Sequence, residues 1–108
     1  HATVEGANSW VRGFDYVKPH INTLDIKDFT WVEQEGKWKA KNVPLGEGVV
    51  DFDKYFQLIS KLPVTIPICI HYEYELGGAE NGNRTVTMDA KEIMDKMKKD
   101  LAFVQERI

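Results

Sequence analysis

The sequence has a single cysteine, Cys69, and no long apolar run among its 108 residues. One cysteine excludes an internal disulfide and a zinc cluster built from cysteines. Because the neighbours of Cys69 are apolar, we expect a buried structural thiol. No segment approaches the roughly 20 apolar residues that a membrane-spanning helix needs. We therefore expect no membrane partner and a cytoplasmic location, with any signal segment preceding residue 1.

The chain also has little excess charge of either sign. Its 14 Lys and Arg residues against 17 Asp and Glu residues give a net charge of −3. This balance provides no basic surface for nucleic acid, so we expect no nucleic-acid partner. A hydrophobic content of 43% and a charged content of 29% are typical of a folded globular chain. The length allows one domain, or part of a larger one.

Helix-like and strand-like patterns alternate along the chain. N-capping residues precede apolar residues at helical spacing, and Pro19 and Pro63 end two of these segments. A pair of alternating arms around Glu35 and Gly36 predicts a surface hairpin. The predicted elements are a helix from Asn8 or Ser9 to about Val17, a strand Ile21–Phe29, a hairpin Thr30–Val43, a helix from Phe52 to about Leu62 capped by Asp51, a strand Val64–Tyr74, and a helix from near Asp89 with Ile93, Met97, Leu101, Val104 and Ile108 on its apolar face.

Two strands separated by a helix are expected to pair in parallel through a crossover. Two strands alone do not make a stable sheet, so the chain should be part of a larger α/β sheet or barrel. Strand alternation places Asp25 and Lys27 on one face of the first strand, and Cys69, His71 and Glu73 on one face of the second. The C-terminal end of parallel strands is where α/β folds bind ligands. The pattern therefore predicts a site there.

Four segments together resemble a known family. The segments "HATVEG", "LDIKDFTW", "NVPLGEGVVDFDKYF" and "HYEYELGG" occur in the order and spacing of the C-terminal part of sugar isomerases and epimerases with a xylose isomerase-like TIM barrel. The resemblance implies an α/β fold in which residues 1–108 are a C-terminal fragment of one such domain. It would contain about strands seven and eight of a (β/α)8 barrel with their flanking helices, present as a partial barrel.

The resemblance also implies a chemistry. Members of the family hold a divalent cation, here expected to be Mn²⁺ or Mg²⁺, with carboxylates and a histidine. They move a proton next to a sugar carbonyl, which requires a stabilised enediolate and a carboxylate that acts as acid and base. The expected ligand is a small sugar or sugar phosphate. An alternative is a carbohydrate-binding or structural barrel relative with a degenerate metal site.

The family's roles map onto five positions of this sequence. By resemblance, His1 would hydrogen-bond the sugar, and Asp25 would bind the metal where the family usually has a histidine. Glu73 would be both metal ligand and catalytic acid and base, with His71 as a substrate contact or an alternate ligand. Lys27 would either contact substrate or pair with Asp25. The fragment should be inactive alone, and should self-associate or require a missing N-terminal barrel portion.

Overall fold

The computed structural model describes residues 9–63 and 65–108, and within these ranges the chain is a mixed α/β structure. Short 3-10 turns occur at Lys18–His20 and Ala79–Asn81. His1 lies outside the described residues. The helices and strands are α1 (Ser9–Val17), β1 (Leu24–Ile26), β2 (Asp28–Gln34), β3 (Lys37–Val43), α2 (Phe52–Ile59), β4 (Ile68–Ile70) and α3 (Ala90–Gln105).

Strands β1 and β4 pair in parallel, as the sequence predicts, with Asp25 opposite Cys69. Each strand has three residues, far fewer than the Ile21–Phe29 and Val64–Tyr74 strands predicted. The difference has a structural cause, because the chain leaves the parallel pair at Lys27 and enters an antiparallel one at Asp28. The described residues form two separate two-stranded sheets and no closed barrel.

The antiparallel pair is the predicted hairpin, although it begins at Asp28 rather than Thr30. Its turn residues Glu35 and Gly36 have φ angles of 54° and 72°. Two successive positive φ angles are typical of the turn whose twist matches that of the flanking strands. The hairpin therefore forms where glycine and the local pattern predict it.

The N-terminal ends of α2 and α3 are capped by the predicted residues. The Asp51 carboxylate accepts a hydrogen bond from the Lys54 N–H at 2.9 Å, and Asp89 accepts one from the Lys91 N–H at 2.9 Å. These carboxylates satisfy N–H groups that have no partner within the helix. Helix α2 ends at Ile59, three residues before the predicted end.

The core lies where α2, α3 and the parallel strands meet. Its buried members are Ile26, Leu45, Phe52, Phe56 and Val104.

The predicted apolar face of α3 is only partly right. Leu101 is 46% exposed and Ile108 is 75% exposed, whereas Val104 and the charged residue Asp100 are buried. Helix α3 is therefore turned so that a carboxylate enters the protein interior.

A second buried carboxylate, Asp28, organises the loop before α2. Its Oδ2 accepts hydrogen bonds from the N–H groups of Gly46 and Gly48, at 3.0 and 2.9 Å. Its Oδ1 accepts from the N–H groups of Phe29 and Val50, at 2.8 and 3.2 Å. A side chain at Gly48 would collide with this carboxylate, so the loop can reach Asp28 only with glycine there. The turn-rich "PLGEG" segment is thus folded around Asp28.

The Asp100 carboxyl gives a prediction about the pH dependence of stability. Burial raises its pKa above the ordinary range, against the opposing effect of the hydrogen bond from the Leu45 N–H. Its Oδ1 accepts from the Leu45 N–H at 3.2 Å, and its Oδ2 has no hydrogen-bond partner among the described residues. A raised folded-state pKa means that the proton stabilises the folded state. The stabilisation that this proton gives to the folded state is fully present below the unfolded-state pKa and is lost as pH rises through the folded-state pKa.

We therefore expect Asp100→Asn to raise the free energy of unfolding at pH 7 by about 1 kcal/mol, since asparagine keeps the acceptor for Leu45 without the charge. The gain should shrink as pH falls, because the raised pKa means that the parent carboxyl takes up its proton above the ordinary aspartate pKa of about 3.9. Urea unfolding at several pH values measures the difference in the free energy of unfolding between Asp100→Asn and the parent. Asp53→Asn is the control, because the Asp53 side chain is 91% exposed. A difference that does not change with pH would contradict the assignment.

Candidate functional site

Side chains from both parallel strands converge at the C-terminal end of the β1–β4 pair. Lys27 Nζ lies 2.6 Å from Glu73 Oε2, and His71 Nδ1 lies 3.2 Å from Glu73 Oε1. His71 Nε2 lies 3.6 Å from Asp25 Oδ1. These four predicted site residues therefore form one connected group, which we call the strand-end cluster.

Lys27 pairs with Glu73 in this cluster, and not with Asp25. The hydrogen bond from Lys27 is the main cause of a lowered Glu73 pKa, and the Lys27 charge and the hydrogen bond from His71 act in the same direction. Asn42, from β3, adds hydrogen bonds to the Glu73 main-chain oxygen at 3.4 Å and to Oε2 at 3.3 Å. The hairpin thus contributes a site residue that the sequence pattern did not indicate, because Asn42 lies outside both parallel strands.

The His71 ring stands between Asp25 and Glu73. A carboxylate can only accept a hydrogen bond, so in neutral His71 the Nδ1–H donates to Glu73 and Nε2 carries the lone pair. This tautomer is assigned from the hydrogen-bond pattern. Because Asp25 and Glu73 meet opposite nitrogens of one ring, they do not form the two-carboxylate site expected for Mg²⁺ or Mn²⁺.

A different set of donors is close enough to hold a metal ion. Asp25, Cys69 and His71 each offer one ligand atom, and these three atoms lie within 4.8 Å of one another. The Asp25 and Cys69 side chains are exposed and His71 is half-buried. A candidate metal-binding group therefore exists among the described residues, with a composition different from the predicted one.

The exposure of Cys69 corrects the expectation of a buried thiol. Ile68 and Ile70 pack against the core, and Cys69 points to the opposite side, beside Asp25. The apolar neighbours in sequence indicated burial, whereas strand alternation already placed Cys69 on the polar face. Alternation was the better signal.

The glycine-rich loop after β4 is ordered by its own contacts. Gly77 and Gly78 have φ angles of 67° and 98°, and a side chain at Gly77 would collide with Met88. The Glu80 carboxylate accepts hydrogen bonds from the N–H groups of Leu76 and Gly78, at 2.9 and 3.0 Å. These backbone hydrogen bonds lower the Glu80 pKa. The loop that follows Glu73 is therefore held in place by hydrogen bonds within itself.

Comparisons with known proteins provide no relative for this chain. No family model, no curated protein and no solved structure matches it. Among the described residues, no helix is both long and apolar enough to cross a membrane.

Proposed function

We propose that this chain is the C-terminal part of a sugar isomerase or epimerase with a xylose isomerase-like TIM barrel. In this proposal β1 and β4 are strands seven and eight, and α2 belongs to the crossover between them. The supporting fold feature is their parallel pairing, with ionisable groups at the C-terminal end. The residues that complete the barrel would come from outside the 108-residue chain.

The strand-end cluster is the observation that carries the proposal. An isomerase needs a carboxylate to move a proton and positive or hydrogen-bonding groups to stabilise the enediolate oxygens. Glu73 would exchange the proton of the carbon next to the carbonyl. Lys27 lies 2.6 Å from Glu73, so its ammonium group can turn from the carboxylate to a sugar oxygen as charge develops there. His71, and His1 by resemblance, would hydrogen-bond the sugar.

The metal in this proposal needs ligands other than the predicted pair. Asp25 and Glu73 do not fit a shared Mg²⁺ or Mn²⁺ ion in the described arrangement, because His71 separates them. We therefore assign the proton transfer to protein groups.

A carbohydrate-binding protein without turnover is the second candidate. This candidate is favoured by the lowered Glu73 pKa and by the hydrogen bonds that Glu73 accepts from Lys27 and Asn42. A carboxylate held in its ionised form is a good acceptor for sugar hydroxyl groups but a weak base. The same cluster could then bind a sugar without removing a proton from carbon.

Deuterium exchange distinguishes the two candidates. The complete polypeptide that contains this chain is incubated in D₂O with a panel of aldoses, ketoses and their phosphates. Exchange at the carbon next to the carbonyl, followed by NMR, supports the enzyme. Sugar binding by calorimetry without exchange supports the binding protein, and the absence of both over the whole panel overturns both candidates.

A prediction about association follows from the two-stranded β1–β4 sheet. Within the described residues, each of these strands has only one neighbour. Unpaired strand edges are templates for pairing with another chain. We expect the 108-residue chain to self-associate in a concentration-dependent manner and to show no isomerase turnover by itself. Sedimentation velocity measures the first point, and a monomer with sharp thermal unfolding would contradict it.

A further inference from the structure

The three donors of the candidate metal-binding group are placed by backbone pairing. Asp25 and Cys69 occupy directly opposed positions of the parallel strands, and His71 follows Cys69 by two residues. The hydrogen bond from the His71 N–H to the Ile26 carbonyl at 2.9 Å extends this pairing past the end of β4. The three side chains therefore share one face of a hydrogen-bonded framework.

The separation of the donors is close to what a tetrahedral ion requires. Bonds of about 2.0–2.3 Å around a tetrahedral Zn²⁺ ion place its ligand atoms about 3.5 Å apart. The three donor atoms already lie within 4.8 Å of one another. Side-chain rotations that move the donor atoms by about an ångström would bring them to this tetrahedral separation. The Asp25 and Cys69 side chains are exposed, which leaves room for these rotations.

The charge distribution around His71 favours a cation at this position. In neutral His71 with Nδ1–H donating to Glu73, the Nε2 lone pair faces the Asp25 carboxylate across 3.6 Å. Two electron-rich atoms at this distance make no hydrogen bond with each other, and a cation shared between them stabilises both. A histidine whose second nitrogen donates to a carboxylate is also the usual arrangement behind a metal ligand. Lys27 and Asn42 hold that carboxylate in place.

We propose that Asp25, Cys69 and His71 form a binding site for a thiophilic divalent ion of the Zn²⁺ class. The donor set of one thiolate sulfur, one imidazole nitrogen and one carboxylate oxygen suits zinc, and Mg²⁺ and Mn²⁺ prefer oxygen ligands. Three protein ligands on an exposed face leave a fourth position open to solvent or to a ligand. Glu73 is a positioning residue for His71 in this site. The inference concerns ion binding and does not depend on isomerase turnover.

Cobalt(II) is the probe that reports the thiolate directly. Titration of the full chain with Co²⁺ under reducing conditions should give one equivalent of binding and a thiolate-to-cobalt charge-transfer absorption in the near ultraviolet. Zn²⁺ should displace the Co²⁺, and a large excess of Mg²⁺ should not.

Variants assign the ligands. Cys69→Ser should abolish the charge-transfer band, and Asp25→Asn and His71→Gln should each weaken Zn²⁺ binding by about 100-fold or more. Glu73→Gln should weaken it by about 10- to 100-fold while the band is kept, as expected for a group that orients a ligand. The matched control is His20→Gln, an exposed histidine on a 3-10 turn, which should bind as the parent does.

Circular dichroism of each variant shows whether the fold is kept. Three results would each overturn the site. The first is cobalt binding without the charge-transfer band, and the second is equal Zn²⁺ affinity in Cys69→Ser and the parent. The third is equal affinity of the parent for Mg²⁺ and Zn²⁺. None of these measurements uses a sugar. If the complete polypeptide binds Zn²⁺ without exchanging sugar protons, the isomerase is refuted and the metal site is kept. Exchange without Zn²⁺ binding refutes the metal site alone.

Discussion

Replacing Asp28 by alanine is expected to lower the free energy of unfolding by about 3–5 kcal/mol. The carboxylate is 1% exposed and accepts four main-chain hydrogen bonds. Alanine would leave the N–H groups of Phe29, Gly46, Gly48 and Val50 without this acceptor. Each buried donor that loses its acceptor lowers the free energy of unfolding by about 1–3 kcal/mol. The total loss therefore stays large even if water replaces the acceptor for some of these N–H groups.

Urea unfolding followed by circular dichroism measures this loss, and Asp95→Ala is the matched control. Asp95 is an exposed carboxylate on α3 that pairs with Lys91 at 2.8 Å, one helical turn away. Such a pair contributes about 0.3–0.5 kcal/mol, so the control should be nearly as stable as the parent. Equal stability of the two variants would show that the loop does not depend on Asp28.

If the complete polypeptide is the proposed isomerase, replacing Glu73 by glutamine is expected to lower its turnover by at least about 100-fold, the usual contribution of a positioned acid or base. Glutamine keeps the shape of the side chain and a hydrogen-bond acceptor, but cannot take up a proton. The measurement is deuterium exchange into the sugar at saturating substrate. The matched control is Glu33→Gln, an exposed glutamate on the hairpin, which should leave the rate unchanged.

The pH profile separates a role in proton transfer from a merely structural one. The hydrogen bond from Lys27 lowers the Glu73 pKa, so the acidic limb of the rate profile should lie below the ordinary glutamate range. Lys27→Met should move this limb toward higher pH as the carboxyl becomes easier to protonate. A limb that does not move, or full activity in Glu73→Gln, would remove Glu73 from the reaction.

The arrangement of the local elements could be predicted from the sequence. Asp51 and Asp89 cap the helices that follow them, and the hairpin turns at Glu35 and Gly36, because these features depend on residues within a few positions of each other. Strand alternation put Asp25 and His71 each on the polar face of its strand, and the structure places His71 Nε2 3.6 Å from Asp25 Oδ1.

Contacts between distant segments could not be predicted in this way. Asp28 is 18 to 22 residues from the Gly46, Gly48 and Val50 N–H groups that it binds, and no local pattern indicates that partnership. The burial of Asp100 had the same difficulty, since the Leu45 N–H that it accepts from lies 55 residues away in the sequence.

The sequence by itself determined which side chains share a face of the parallel strands, where α2 and α3 begin and where the hairpin turns. Backbone periodicity and capping chemistry act over one or two turns of chain, so they do not require knowledge of the fold. The tertiary structure alone decided that Lys27 pairs with Glu73, that His71 stands between two carboxylates and that Cys69 joins Asp25. Those choices depend on the parallel register of β1 and β4, in which Asp25 lies opposite Cys69.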